Sequence, residues 1–196
     1  FGADPEHLGL SKLRSPGTLT VEADWSNAAF FLAANALGSH LDIQGLNPHS
    51  AQGDRAAAAL LPQLTQEAVT IDASDIPDLV PILCVTAACC HGATFTNIRR
   101  LRLKESDRVA SVIAMLKALG GHAEADENTL HIFGTGLVGG TVDSVNDHRI
   151  AMAAAIAATR CTEPVTILGA QCVRKSYPKF FDEYRRLGGR YEQYLR

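Results

Sequence analysis

The chain has 196 residues, 46% of them hydrophobic and 20% charged, with a formal net charge of −3, an ordinary composition for a soluble globular domain. That weak acidic balance supplies no general basic field, so nucleic acid and anionic membrane are not expected partners and any anion site is local. No apolar run reaches the roughly 18 residues of a membrane span and no basic-then-apolar leader opens the chain, so a cytoplasmic location is expected.

Three stretches share one order. Residues 18–46, TLTVEADWSNAAFFLAANALGSHLDIQGL, read as strand, helix, strand, and GDRAAAALLPQL at 53–64 then starts a second helix. Residues 69–98, VTIDASDIPDLVPILCVTAACCHGATFTNI, repeat the order. KESDRVASVIAMLKALGG at 104–121 follows, with Val109, Val112, Ile113, Leu116 and Leu119 at amphipathic spacing. A hairpin is expected in HAEADENTLHIFG, residues 122–134. Residues 141–168, TVDSVNDHRIAMAAAIAATRCTEPVTIL, give the order a third time, and KSYPKFFDEYRRLGG at 175–189 gives the last helix. Gly-Gly after the second and third outer helices marks a left-handed C-terminal cap.

The first helix of each unit is Ala-rich and apolar nearly all round, which predicts full burial over residues 26–37, 77–90 and 148–159. The expected fold is α+β: one pseudo-threefold domain, 1–196, of three βαβαββ-type repeats at about 18–68, 69–138 and 139–196. Their unequal spacing argues against a strict solenoid. The cysteines (Cys84, Cys89, Cys90, Cys161 and Cys172) are odd in number and fit neither a disulfide framework nor a zinc knuckle, so buried free thiols are expected. No metal ligand set is visible, and no cofactor is expected.

Charged residues recur where strands give way to helices. Lys104, Glu105, Asp107 and Arg108 follow the expected strand FTNIRRLRL. A helix N-terminus offers free N–H groups and partial positive charge, so it suits an anion. Ser106 or Asp107 could cap this helix, and Glu105 could favour the dipole. Lys104 and Arg108 oppose the dipole, a conflict that a phosphate or carboxylate partner would remove. Asn146-Asp147-His148-Arg149 stands in the corresponding place of the third unit. Asn146 or Asp147 suits its cap, His148 can carry a proton, and Arg149 can fork onto an oxyanion. In Asp75-Ile76-Pro77-Asp78, Asp75 suits the cap and Pro77 the first turn, which leaves Asp78 unexplained. Lys175 lies at a further helix start. Singly, each reads as a cap or a solvated charge; their recurrence predicts that they face one place.

KESDR at 104–108, NDHR at 146–149, IPD at 76–78, RKSYP at 174–178 and VEADWSNAAFFLAA at 21–34 resemble segments of the 5-enolpyruvylshikimate-3-phosphate synthase family. The matches occur in order over most of the chain, and the resemblance is to the second half of that enzyme. It implies an enolpyruvyl transferase-like fold in which two similar domains of three βαβαββ units enclose a cleft. It also implies transfer of enolpyruvyl from phosphoenolpyruvate to the 5-hydroxyl of shikimate 3-phosphate, with release of phosphate, in the shikimate pathway of aromatic amino-acid biosynthesis. On the matched positions Asp78 takes the hydroxyl proton and touches the shikimate ring, and Lys104 holds the shikimate substrate. Glu105 serves as acid and base at the phosphoenolpyruvate methylene. Arg108, Arg149 and Lys175 bind the phosphoenolpyruvate carboxylate and phosphate, with His148 supporting. The implied partners are these two substrates and the N-terminal domain of the same enzyme; no cofactor and no metal are implied. Arg100 stands where the family often has Asn. Two alternatives are the related UDP-N-acetylglucosamine enolpyruvyl transferase and a non-catalytic anion-binding module.

Overall fold

A computed structural model of the chain describes residues 17, 18 and 20–194. Its centre is a pair of packed helices, α3 (Val80–Cys89) and α5 (His148–Ala157). Every residue of α5 is buried, as is α3 from Val80 to Ala88. The many alanines let neighbouring elements approach closely, and larger side chains there would overpack the interior. Thr86, buried in α3, returns its hydroxyl to the Ile82 carbonyl at 3.1 Å, so no polar group is stranded.

Each central helix links two parallel strands. β1 (Val69–Asp72) and β2 (Ala93–Thr96) flank α3 and pair with Val69 opposite Ala93. β5 (Gly140–Asp143) and β6 (Val165–Leu168) flank α5 and pair with Gly140 opposite Val165. The expected hairpin forms as β3 (His122–Ala125) and β4 (Thr129–Phe133), and β4 adds antiparallel to β2. The first sheet therefore runs β1-β2-β4-β3, whereas β5 and β6 stand as a separate two-stranded sheet. The fold class is α+β, as expected.

The outer helices are held by their apolar faces. α4 (Arg108–Ala118) buries Val109, Val112, Met115 and Leu116. It ends where Gly120 turns left-handed at φ 82° and Gly121 N–H donates to the Leu116 carbonyl at 2.8 Å. α6 (Phe180–Arg186) has 7 residues, too few to persist alone. Phe180 anchors it, fully buried against the rings of Phe30, Phe31, Tyr177 and Phe181 at 5.2–6.3 Å between centroids. The third unit is thereby clamped onto the first.

Three expectations need correction. α1 (Trp25–Ala36) packs on α2 (Ala57–Leu64), α3 and α5, but Leu32, Asn35 and Ala36 are only half covered, so it is not buried all round. The strands expected on either side of α1 are absent among the described residues. Side-chain amides take the backbone groups that a ladder would use. Gln52 accepts from Trp25 N–H and donates to the Ala23 carbonyl, both at 2.9 Å. Asn35 accepts from Leu41 N–H at 2.7 Å and donates to its carbonyl at 2.8 Å. The expected strand over 95–103 stops at Thr96, because Asn97 is left-handed at φ 59° and Ile98–Leu103 forms a 3-10 turn. Ile98 and Leu101, three apart, are both buried by that turn.

Candidate active site

The starts of α3, α4 and α5 meet around one side chain. α4 opens on Asp107, whose carboxylate accepts from Val109 and Ala110 N–H at 3.1 Å; Ser106 instead donates to Asp147 at 3.0 Å. α5 opens on Asp147, which accepts from Arg149 N–H at 2.9 Å. Val145 and Asn146 just before it are left-handed at φ 45° and 60°, costly for a β-branched residue such as Val145. Lys175 secures this loop by donating to the Asn146 carbonyl at 2.7 Å. α3 begins later than expected: residues 77–79 form a turn, Val80 is the first helical residue, and Asp75 does not cap it. Asp78 therefore stands ahead of the helix.

Arg108 is the shared element, with its side chain fully buried. Its Nε donates to Asp147 at 3.0 Å, one terminal nitrogen to Asp78 at 2.5 Å and the other to Glu105 at 2.5 Å. Removing this guanidinium from water is costly, and three carboxylates offset the cost. Asp78 also receives Lys104 at 3.2 Å and Arg149 at 3.4 Å. Burial by itself would raise the Asp78 carboxyl, but the Arg149 charge, the hydrogen bond and charge of Arg108, and Lys104 outweigh it and hold the group below the usual carboxylate range.

The fold thus joins Asp78, Lys104, Glu105, Arg108 and Arg149 in one hydrogen-bonded and ionic cluster. Lys175 contacts the loop one residue before the Asp147 cap. His148 is buried beside them, and its Nδ1 has no hydrogen-bond partner. Burial first, then the adjacent Arg149 charge, lowers its pKa and favours the neutral ring. Arg100 is elsewhere, donating to the Ser74 carbonyl at 3.0 Å.

One neighbour of the cluster was not legible beforehand. Asp54, buried in the 3-10 turn Gly53–Ala56, accepts a hydrogen bond from Ser26 at the start of α1. Burial raises its pKa, against the hydrogen bond from Ser26 and the charge of Arg149. Gly53 makes the placement possible: a Cβ there would lie 2.8 Å from the Asp75 carbonyl oxygen. The only sequence signal was an acidic residue after Gly at a helix start.

Other features lie apart. A depression of about 570 Å³ over α1 and α2, lined by Trp25, Gln52, Arg55 and Ala59, includes none of the clustered residues. Cys89, at the C-terminal end of α3, has its thiol pushed up to about 12, chiefly by burial, and is protonated at neutral pH. Among the described residues no group of three or more His, Cys, Asp or Glu is placed to hold a metal ion.

The EPSP synthase (3-phosphoshikimate 1-carboxyvinyltransferase) family model matches residues 60–184. The 3-phosphoshikimate 1-carboxyvinyltransferase of Clostridium kluyveri is 41% identical over 192 residues, covering 89% of this chain and 45% of the relative. That of Clostridium acetobutylicum is 44% identical over 185 residues, covering 86% and 43%. The structure of EPSP synthase from Acinetobacter baumannii superposes with a TM-score of 0.76 at 26% identity, over 86% of this chain and 46% of that one. The chain therefore spans somewhat under half the length of the curated relatives it matches.

Proposed function

Since this chain belongs to the EPSP synthase family, we propose that it is the second domain of a two-domain enzyme of the shikimate pathway. That enzyme transfers enolpyruvyl from phosphoenolpyruvate to the 5-hydroxyl of shikimate 3-phosphate and releases phosphate. The observation that carries the reading is the convergence of Lys104 and Arg108 from one segment and Arg149 from another on Asp78, at 2.5–3.4 Å. We place the reaction in the cytoplasm, in keeping with five unpaired cysteines. Among the described residues no helix is long and apolar enough to cross a membrane.

The chemistry is an addition followed by an elimination. The 5-hydroxyl oxygen adds to the enol carbon while the methylene carbon gains a proton; loss of that proton and of phosphate then regenerates the double bond. Such a sequence needs a base at the hydroxyl, an acid that later acts as base at carbon, and cations around two anions. Asp78 fills the first role and Glu105 the second. Lys104 holds the shikimate substrate. Arg149, Arg108 and Lys175 hold the carboxylate and phosphate of phosphoenolpyruvate, and neutral His148 supports them. The remaining contacts come from the other domain, which also closes the cleft against water.

A phosphate-release assay tests this with the chain alone and with the chain fused to the first half of a curated relative. Two missing contacts at about 3 kcal/mol each slow turnover roughly ten-thousand-fold, so the chain alone should be nearly silent and the fusion active. Turnover near about 10 per second by the chain alone defeats the two-domain reading. A folded fusion that neither binds shikimate 3-phosphate nor releases phosphate defeats the assigned activity.

A further inference from the structure

The cluster is arranged the wrong way round for an open anion site. Its guanidiniums lie inside, with 0% of the Arg108 and 8% of the Arg149 side chain exposed. Two of the three carboxylates on Arg108 lie outside, Asp78 at 32% and Glu105 at 42%. Both Asp78 oxygens are engaged, Oδ1 by Arg108 and Lys104 and Oδ2 by Arg149. An incoming carboxylate or phosphate reaches Arg149 where Asp78 now sits, and two anions in that space repel. The same three cations make Asp78 a weak proton acceptor, because whatever stabilises its carboxylate resists protonation.

Both difficulties disappear in a single event. We infer that the anionic cosubstrate switches Asp78 on as a base by displacing it from Arg149, which takes up the ligand's oxyanion instead. Arg108 is the fixed frame of this exchange, because its Nε stays on buried Asp147 whatever its terminal nitrogens do. The charged groups acting on Asp78 are Arg149 from α5, Arg108 from α4, Lys104 from the turn before α4 and Asp54 from the turn before α2, with Glu105 sharing Arg108. Once Arg149 is taken up by a ligand, the negative groups in this set favour a proton on Asp78. The base is thus armed only when the cosubstrate that needs it is present. Assigning the proton to a shikimate hydroxyl rests on the proposed function; the displacement needs only an oxyanion.

The test uses the 196-residue chain and inorganic phosphate as probe. Asp78→Asn keeps the side-chain size and removes the competing charge, so phosphate should bind this variant about tenfold more tightly than the wild type at neutral pH, a partly screened Coulomb effect. Equal or weaker binding by the variant, or no binding to either protein, overturns the inference. A second measurement on the wild type follows the carboxyl carbon of Asp78 by NMR through a pH titration, with and without phosphate. Its midpoint should rise with phosphate; a fixed or falling midpoint overturns the inference even if the variant fails to fold. The active fusion, titrated with phosphoenolpyruvate and shikimate 3-phosphate, separates the two readings. Failure there defeats the assigned reaction, while the phosphate result still decides the displacement.

Discussion

The starts of α4 and α5 read alike, an acidic cap followed closely by an arginine, yet the fold uses them in opposite ways. At α4 the cap is outside and the arginine inside: the Asp107 side chain is 42% exposed and Arg108 is fully buried. At α5 the cap is inside: Asp147 is fully buried, while Arg149 keeps a narrow exposed edge toward Asp78. Arg108 and Asp147 complete each other across the two helices, so one arginine and one cap form a frame. The remaining arginine, Arg149, pairs instead with partly exposed Asp78. Sequence motifs that match as strings therefore need not match as functions; the depth of each side chain decides which is scaffold.

Replacing the two arginines should break this symmetry most visibly. Arg108→Ala leaves buried Asp147 without its main cation and should cost about 3–5 kcal/mol in urea denaturation at neutral pH. Arg149→Ala loses only longer contacts of 3.4 Å and should cost about 1–2 kcal/mol of stability. It should cost about 1.5–3 kcal/mol of oxyanion affinity in the active fusion. Equal losses of stability in the two variants would erase the distinction.

Asp78 and Asp54 sharpen it through pH. The folded-state pKa of Asp78 is lowered, so its stabilising contribution is complete above its unfolded value near about 3.9 and is lost as pH falls through the folded value. That of Asp54 is raised by burial, so its contribution is present below about 3.9 and is lost as pH rises through the folded value. Asp78→Asn should therefore destabilise the chain at neutral pH and converge on the wild type in acid. Asp54→Asn should match or exceed wild-type stability at neutral pH and lose any advantage below about pH 4. Melting curves across pH check both signs. His148→Leu should be the mildest change, under about 1 kcal/mol in denaturation, because Nδ1 has no partner to lose.

Much of this was readable from local pattern. The Ala-rich runs of α3 and α5 announced buried helices, and Asp-Glu-Asn between two alternating segments announced the β3–β4 hairpin. Recurrence pointed to Asp78, Lys104, Glu105, Arg108, Arg149 and Lys175 as one group; the first five share the ionic cluster, and Lys175 instead holds the Asn146 carbonyl beside it. Hidden were partnerships between residues far apart in the chain. Ser26 finds Asp54 across 28 positions and Arg108 finds Asp147 across 39, and no periodicity encodes such distances. The alternation in IRRLRL imitated a strand because Ile98 and Leu101 are also one 3-10 turn apart. Around α1 the sequence carried strand propensity, but propensity without a neighbouring ladder is outcompeted by Gln52 and Asn35.

The two-stranded β5–β6 sheet sets a different clock for one part of the molecule. A pair of four-residue strands is marginal by itself, while β2 is secured on both edges by β1 and β4. Amide protons in 140–143 and 165–168 should therefore exchange with deuterated solvent through local opening, well before those of β2. Asp143 ends β5 and its carboxylate holds Val145 N–H at 2.8 Å, so each such opening tugs on the left-handed link ahead of Asp147. This short ladder is thus wired to the loop that Lys175 grips, and its opening should reach the Asp147 end of α5 before it reaches the packed α3–α5 interior.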